Sequence, residues 1–209
     1  MGRLNTTTAL AAAAVALVAA GCATTAFKST WKAPDAQPLA LAGKKVGAMV
    51  IHNNEGTRRA AEDALAREIT ARGAQGQPTY PLLSNTAAKD QATAKAAIEK
   101  AGFDGLVVMR PVGREKEVTY TPGMWTGQPM YGSFWGGYYG YGWGAAYSPG
   151  YLQTDTIISV ETLIYSTDQD KLIWAGESTT TNPTKVDSFV RELSGKVATE
   201  LRREGLLAK

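Results

Sequence analysis

The apolar positions of this chain fall into runs of two periods, and their order predicts an α/β domain. Val46 to Ile51 is an almost unbroken apolar run between Gly43 and Asn53-Asn54, which suits a buried strand. Thr57 stands where a helix cap is needed. After it Ala61, Leu65 and Ile69 recur every four residues up to Arg72, and Gly73 follows as a stop. Tyr80 to Leu83 predicts a weak strand at a sheet edge, because Pro78 and Pro81 each lack an amide donor. Asp90 to Ala101 returns to helical spacing through Ala94, Ala97 and Ile98, and Gly102-Phe103 matches a Schellman stop with its apolar following residue.

Four successive apolar residues, Leu106 to Met109, predict a strand covered on both faces. Thr156 to Tyr165 and Lys171 to Thr179 predict an antiparallel hairpin. Ile158, Val160, Thr162 and Ile164 share one face of its first strand, and Ser159 and Glu161 lie on the other. Pro183-Thr184 opens a last helix carrying Val186, Phe189, Val190, Leu193, Val197 and Leu201 at 3.6-residue spacing, and Gly205-Leu206 ends it. The order strand, helix, strand, helix, strand, strand, strand, helix predicts one mixed-sheet α/β domain over residues 44–209. Its first connections are expected to be right-handed crossovers.

The first 43 residues break this pattern. Arg3 precedes a short run of Ala, Val and Leu from Ala9 to Ala20, below the ~20 residues of a membrane-spanning helix. A charged start, a short apolar core and small residues at its end predict a secretory signal over residues 1–21. Ala23 to Leu39, with Thr24, Thr25, Ser29, Thr30, Pro34 and Pro38, predicts a tether, so residues 22–43 are expected to be anchor and tether. Phe27 and Trp31 are expected either to pack back on the domain or to sit at a membrane interface.

Ala19-Ala20-Gly21-Cys22 resembles the lipobox of bacterial lipoproteins, although Ala19 stands where Leu is preferred. The resemblance implies that Cys22 receives a diacylglycerol group, that the chain is cut before it and that the new N-terminus is acylated. Each buried methylene contributes about 0.8 kcal/mol, and two or more chains give a stable anchor. By the sorting pattern of such proteins, Ala23 after the cysteine implies the outer membrane, facing the periplasm. The alternative is a secreted protein with a free thiol, but a lone cysteine in such a chain asks for a special role.

Composition removes several classes. Lys and Arg number 22 against 19 Asp and Glu, a formal net charge of +3 with no long basic run, so nothing calls for nucleic acid. Cys22 is the only cysteine, which leaves the domain without a disulfide. One histidine and no carboxylate cluster at ligand spacing give no reason to expect a metal or cofactor.

Val118 to Thr154 is the anomaly. It has no charged residue, and it interleaves glycines with Trp125, Tyr131, Phe134, Trp135, Tyr138, Tyr139, Tyr141, Trp143, Tyr147 and Tyr151. The first nine of these aromatics are the candidate partner-binding residues. Amphipathic rings on flexible backbone suit sugar faces, protein partners or a membrane interface. A tolerated low-complexity insertion is the plain alternative, and a transmembrane hairpin a third, although the glycines break the steady alternation that spanning strands need.

Other polar residues carry weaker signals. Arg58 and Arg59, after Asn53-Asn54-Glu55-Gly56-Thr57, are expected to be solvated helix residues, with phosphate or polymer binding as the alternative. His52 has no Ser or Asp partner in sequence, Ser159 and Ser178 lie outside any nucleophile elbow, and Glu161 has no paired carboxylate at an interpretable spacing. No catalytic residue is assigned, and the chain is expected not to be an enzyme.

The stretch from Asp104-Gly105-Leu106-Val107-Val108 through the aromatic segment to Ser159-Val160-Glu161-Thr162 and Leu172-Ile173-Trp174-Ala175-Gly176 resembles uncharacterised envelope lipoproteins with a domain of unknown function. They share a buried strand, a Gly/Tyr-rich insert and a hairpin ending in Trp-x-Gly. The element order is more loosely similar to small α/β domains of periplasmic lipoproteins that assist peptidoglycan synthases or curli secretion, a likeness of fold that does not fix function. Together these imply a lipid-anchored periplasmic protein with a non-enzymatic accessory role and an envelope protein as partner. A peptidoglycan or glycan-binding module is the alternative, and an envelope hydrolase with an unrecognised site the weaker one.

Overall fold

Six strands form one mixed sheet in the order β1-β6-β5-β4-β2-β3, with helices on both faces. This computed structural model describes residues 24–117 and 155–208. The strands are β1 (Thr24–Lys32), β2 (Lys45–Val50), β3 (Gln75–Pro78), β4 (Gly105–Glu117), β5 (Asp155–Ser166) and β6 (Lys171–Thr181). The helices are α1 (Glu55–Thr70), α2 (Gln91–Ala101) and α3 (Val186–Arg203). β2 runs parallel to β3 and β4, and the remaining pairs are antiparallel, so the predicted α/β class and mixed sheet hold.

The sheet separates two cores. On one face Leu65 and Ile69 of α1 meet Val190, Leu193, Val197 and Leu201 of α3 over Val50, Met109, Val160 and Trp174. On the other, Ala94 and Ile98 of α2 join Leu83 and Phe103 over Met49, Leu106, Val108 and Leu163. The alternation of Met49/Val50 and Val108/Met109 between the cores explains why these strands read as unbroken apolar runs. Gly102 ends α2 at φ 66°, the left-handed conformation that its place after Ala101 requires.

Three local expectations change. Residues 24–32 are not a tether: they form β1 antiparallel to β6, so the folded domain extends back at least to Thr24. Thr25 Oγ1 and Thr180 Oγ1 lie 2.7 Å apart, and the Phe27 ring stands edge-on to Trp174 at 5.8 Å between centroids. An edge strand held by its backbone and one aromatic contact needs no regular apolar alternation, and Lys28 and Lys32 reach back over the domain, to Glu177 and to the Glu204 carbonyl.

The weak edge strand lies at Gln75–Pro78 rather than Tyr80–Leu83. Beyond Pro78 the Thr79 amide still reaches the Ala48 carbonyl at 3.1 Å, but the Glu62 carboxylate also accepts from it at 2.7 Å and from the Tyr80 amide at 2.6 Å. The Leu82 and Leu83 amides turn back to the Thr79 carbonyl, which ends the strand. The caps move as well. Asn54, not Thr57, caps α1, its Oδ1 accepting from the Thr57 amide at 2.8 Å, and α3 starts after Lys185 without a side-chain cap from Thr184.

The start of β2 is tied to the turn before β4: Lys44 Nζ lies 2.7 Å from Asp104 Oδ1, and the Lys45 amide donates to Asp104 Oδ2 at 2.8 Å. The Lys44 bond and then the Lys45 amide hold the Asp104 carboxyl below its ordinary 3.8. A lowered carboxyl stabilises the fold above its unfolded pKa, and that contribution disappears as pH falls through the folded value. Asp104→Asn is therefore expected to lower the urea midpoint at pH 7, with the difference from wild type vanishing as the solution is acidified through and below pH 3.8. A difference that stays constant with pH would show that the ion pair is not its source.

Candidate functional site

Cys22 and the nine candidate aromatics, Trp125 to Tyr147, lie outside the described residues. Their points of attachment do not. Thr24 pairs with Thr181, Thr181 with Ile157 and Ile157 with Glu115, so one row across β1, β6, β5 and β4 marks a single end of the sheet. The chain leaves this end at Glu117 and re-enters at Asp155, which are register partners. With strands about 4.8 Å apart, Thr24 stands about 10 Å from Ile157. Cys22 is two residues before Thr24, within about 7 Å of chain length.

Further from this end, on the face that carries α2, lies a row of charge. Ser29, Glu177, Glu161 and Arg110 are successive register partners across the same four strands. Arg110 Nη2 donates to Glu161 Oε2 at 2.8 Å, with both side chains buried. Lys28, set in the bulge of β1, places Nζ 3.5 Å from Glu177 Oε1 and 3.5 Å from Ser159 Oγ, and both members of that pair reach solvent. Glu161 thus has a carboxylate neighbour after all, Glu177 on the adjacent strand. Its distance in sequence hid the pairing. The exposed Lys28 and Glu177 are suited to orienting a partner, as rim charges do.

The β2–α1 junction is a second polar cluster and corrects the reading of Arg58. Arg59 is exposed and pairs with Glu55 at 2.8 Å, but Arg58 and Glu62 are both 0% exposed. Arg58 Nε donates to Glu62 Oε1 at 2.9 Å, and Nη1 to Asn85 Oδ1 at 3.2 Å. Glu62 also accepts from the amides of Val50, Thr79 and Tyr80 and from the Thr79 hydroxyl. Burial pushes the Glu62 carboxyl above its ordinary range, against the pull of Arg58 and of the Val50 and Tyr80 amides. Both its oxygens are committed to bonds that join β2, α1 and the segment after β3, which makes it a structural staple. The signal that could have revealed it is the i, i+4 spacing of Arg58 and Glu62 beside Ala61 and Leu65.

His52 braces the same turn. Its Nδ1 lies 3.0 Å from the Asn54 amide nitrogen, which donates to it. That use of Nδ1 leaves Nε2 to carry the proton in the neutral ring. Ser178 Oγ donates to the Val160 carbonyl at 3.2 Å, within the sheet. Among the described residues no group of three His, Cys, Asp or Glu side chains is placed to hold a metal, and no helix is long and apolar enough to cross a membrane.

The fold defines the chain as a mixed-sheet α/β domain with helices on both faces. No protein-family profile matches it, and no curated protein matches it. Among solved structures it is similar to the PelC dodecamer from Paraburkholderia phytofirmans in space group P6, at 12% identity and TM-score 0.44, covering 84% of this chain and 94% of that one. It is also similar to a leucine-to-methionine variant of the same PelC in space group C2, at 13% identity and TM-score 0.45 with the same coverage.

Proposed function

We propose that this chain is a lipid-anchored protein of the cell envelope that works without catalysis, by contacting another envelope component from the periplasmic face of the outer membrane. The observation that carries the reading is the meeting of two features at one end of the sheet. The lipobox-like Cys22 is two residues from β1, and the aromatic segment leaves and re-enters beside the same row. Acylation at Cys22 holds that end against the bilayer, with almost no tether between lipid and sheet. The aromatic segment then starts in the layer where amphipathic rings are favoured, or where a partner at the membrane surface is met. Arg58, Glu62, His52 and Ser178 are occupied in holding the fold, which favours an interaction role over a hydrolytic one.

The test is the triple replacement of Trp125, Trp135 and Trp143 by Ala. Aromatic anchors often cost more than ~1 kcal/mol each when truncated, so loss of all three is expected to weaken capture of the partner by about a hundredfold or more. Thermal unfolding of the domain is expected not to change. Capture is read by crosslinking in intact envelopes and, in parallel, on purified sacculi. Loss confined to the sacculi assigns the segment to glycan instead of protein, and full capture in both assays overturns the interaction reading.

A further inference from the structure

The core between α1, α3 and the sheet is not closed. A cavity of about 360 Å³ lies there. Its walls are aliphatic: Val46, Val107 and Ile164 from the sheet, Leu65 and Ile69 from α1, and Val197 from α3. The segment 35–41, between β1 and β2, forms a further wall and is fastened by the Leu39 amide donating to the Leu206 carbonyl at 2.8 Å. An apolar cavity of about 150 Å³ holds the six carbons of benzene, so by the same scale this one has room for about a dozen to fourteen.

The polar groups around it narrow the choice of ligand. At the rim, Lys44 pairs with Asp104, Arg72 with Glu68, and Lys171 with Asp35, and Asp168 adds an acidic group. Every rim cation has its counter-ion and acidic groups are in excess, which disfavours an anionic head. Inside, Ser194 lines the cavity and is 7% exposed, yet its hydroxyl has no hydrogen-bond partner among the described residues. A helical serine commonly satisfies itself on the carbonyl four residues back. Ser194 does not, and a buried hydroxyl left alone is costly.

We infer that this cavity binds a neutral single-chain lipid, one aliphatic chain of about 12–14 carbons bearing an uncharged oxygen function that Ser194 meets, as in a monoacylglycerol. The walls supply non-directional burial of the chain, Ser194 supplies the polar match, and the charge-paired rim turns away fatty carboxylates.

The test uses the full chain in lipid nanodiscs and a monoacylglycerol whose twelve-carbon chain carries a terminal diazirine. After irradiation, mass spectrometry is expected to find crosslinks on the wall residues, Ile69, Val107, Ile164 and Val197 among them. Unlabelled monododecanoylglycerol is expected to compete at least tenfold better than dodecanoate. Ala198→Phe puts a ring into the space and is expected to cut wall labelling at least tenfold with cooperative unfolding retained. If that variant does not fold, Val107→Phe fills the cavity from the sheet side and carries the same expectation. Ser194→Ala is expected to weaken competition several-fold. Crosslinks scattered over the exterior, undiminished wall labelling in a folded filled variant, or dodecanoate competing as well as the neutral lipid would each overturn the assignment.

Discussion

Glu62→Gln is expected to destabilise the domain by about 3–5 kcal/mol at pH 7, the usual result of removing one partner from a buried ion pair. The change removes the charge opposite the fully buried Arg58 guanidinium and leaves it the more distant Glu55 carboxylate, 3.7 Å away. The one oxygen left on Gln can accept on the Arg58 and Val50 side or on the Thr79 and Tyr80 side but not on both, so its NH2 is set against donors on the other. Urea unfolding reads the effect as a lower midpoint at an unchanged slope. The pH dependence has the opposite sign to that of Asp104. Because burial raises this carboxyl above 4.5, the folded state binds the proton more tightly than the unfolded one. The proton-linked part of wild-type stability is therefore fully present below pH 4.5 and is lost as pH rises through the raised value, on top of the bonds that Glu62 keeps at pH 7. A shift under about 1 kcal/mol would mean that Glu62 is not the staple its bonds describe.

Trp174→Ala is expected to cost about 3–5 kcal/mol, as large aromatic truncations in cores do. Trp174 is the largest fully buried side chain among the described residues, and its Nε1 donates to Glu204 Oε2 at 3.0 Å. A Cβ on Gly176 would come within 2.4 Å of the Trp174 ring and 2.8 Å of Phe27, so the Trp-x-Gly pattern is a packing device: the glycine two residues on leaves room for the ring. Since Phe27 is the aromatic contact of β1, the substitution is also expected to speed amide exchange in Thr25 to Thr30 more than in β5. Equal exchange in the two strands would separate Trp174 from the docking of β1.

What the sequence disclosed follows from how each element is held. β2, β4 and β5 bury side chains on one or both faces, and α3 keeps a single apolar stripe, so period alone located them, except that β4 runs on past Met109 to Glu117 through Arg110, Arg114 and Glu115, which carry no apolar period. β1 is fixed by cross-strand amides, a threonine pair and one ring contact, none of which leaves a hydrophobic period in Thr24 to Lys32. Tyr80 to Leu83 has strand-like composition, but Glu62, almost twenty residues earlier, takes the Tyr80 amide and the Leu82 and Leu83 amides turn back to the Thr79 carbonyl. Arg58 reads as a solvated cation because the burial of the Arg58–Glu62 pair comes from Asn85 and the segment after β3, which reach it only in the fold. The cavity has no signature in sequence, being the space left between helices, sheet and the segment before β2. Cys22 lies outside the described residues, so its reading as a lipid acceptor rests on the resemblance of Ala19-Ala20-Gly21-Cys22 to a lipobox alone.

The central claim is that lipid on Cys22 holds one end of the sheet at the membrane. Metabolic labelling with an alkyne fatty acid, followed by immunoprecipitation of wild type and Cys22→Ala, tests it most directly. The account predicts labelled, outer-membrane-associated wild type, processed to begin at Cys22, and an unlabelled, uncleaved mutant. Equal labelling of the mutant, or recovery of unlabelled wild type in the soluble periplasmic fraction without detergent, would contradict it.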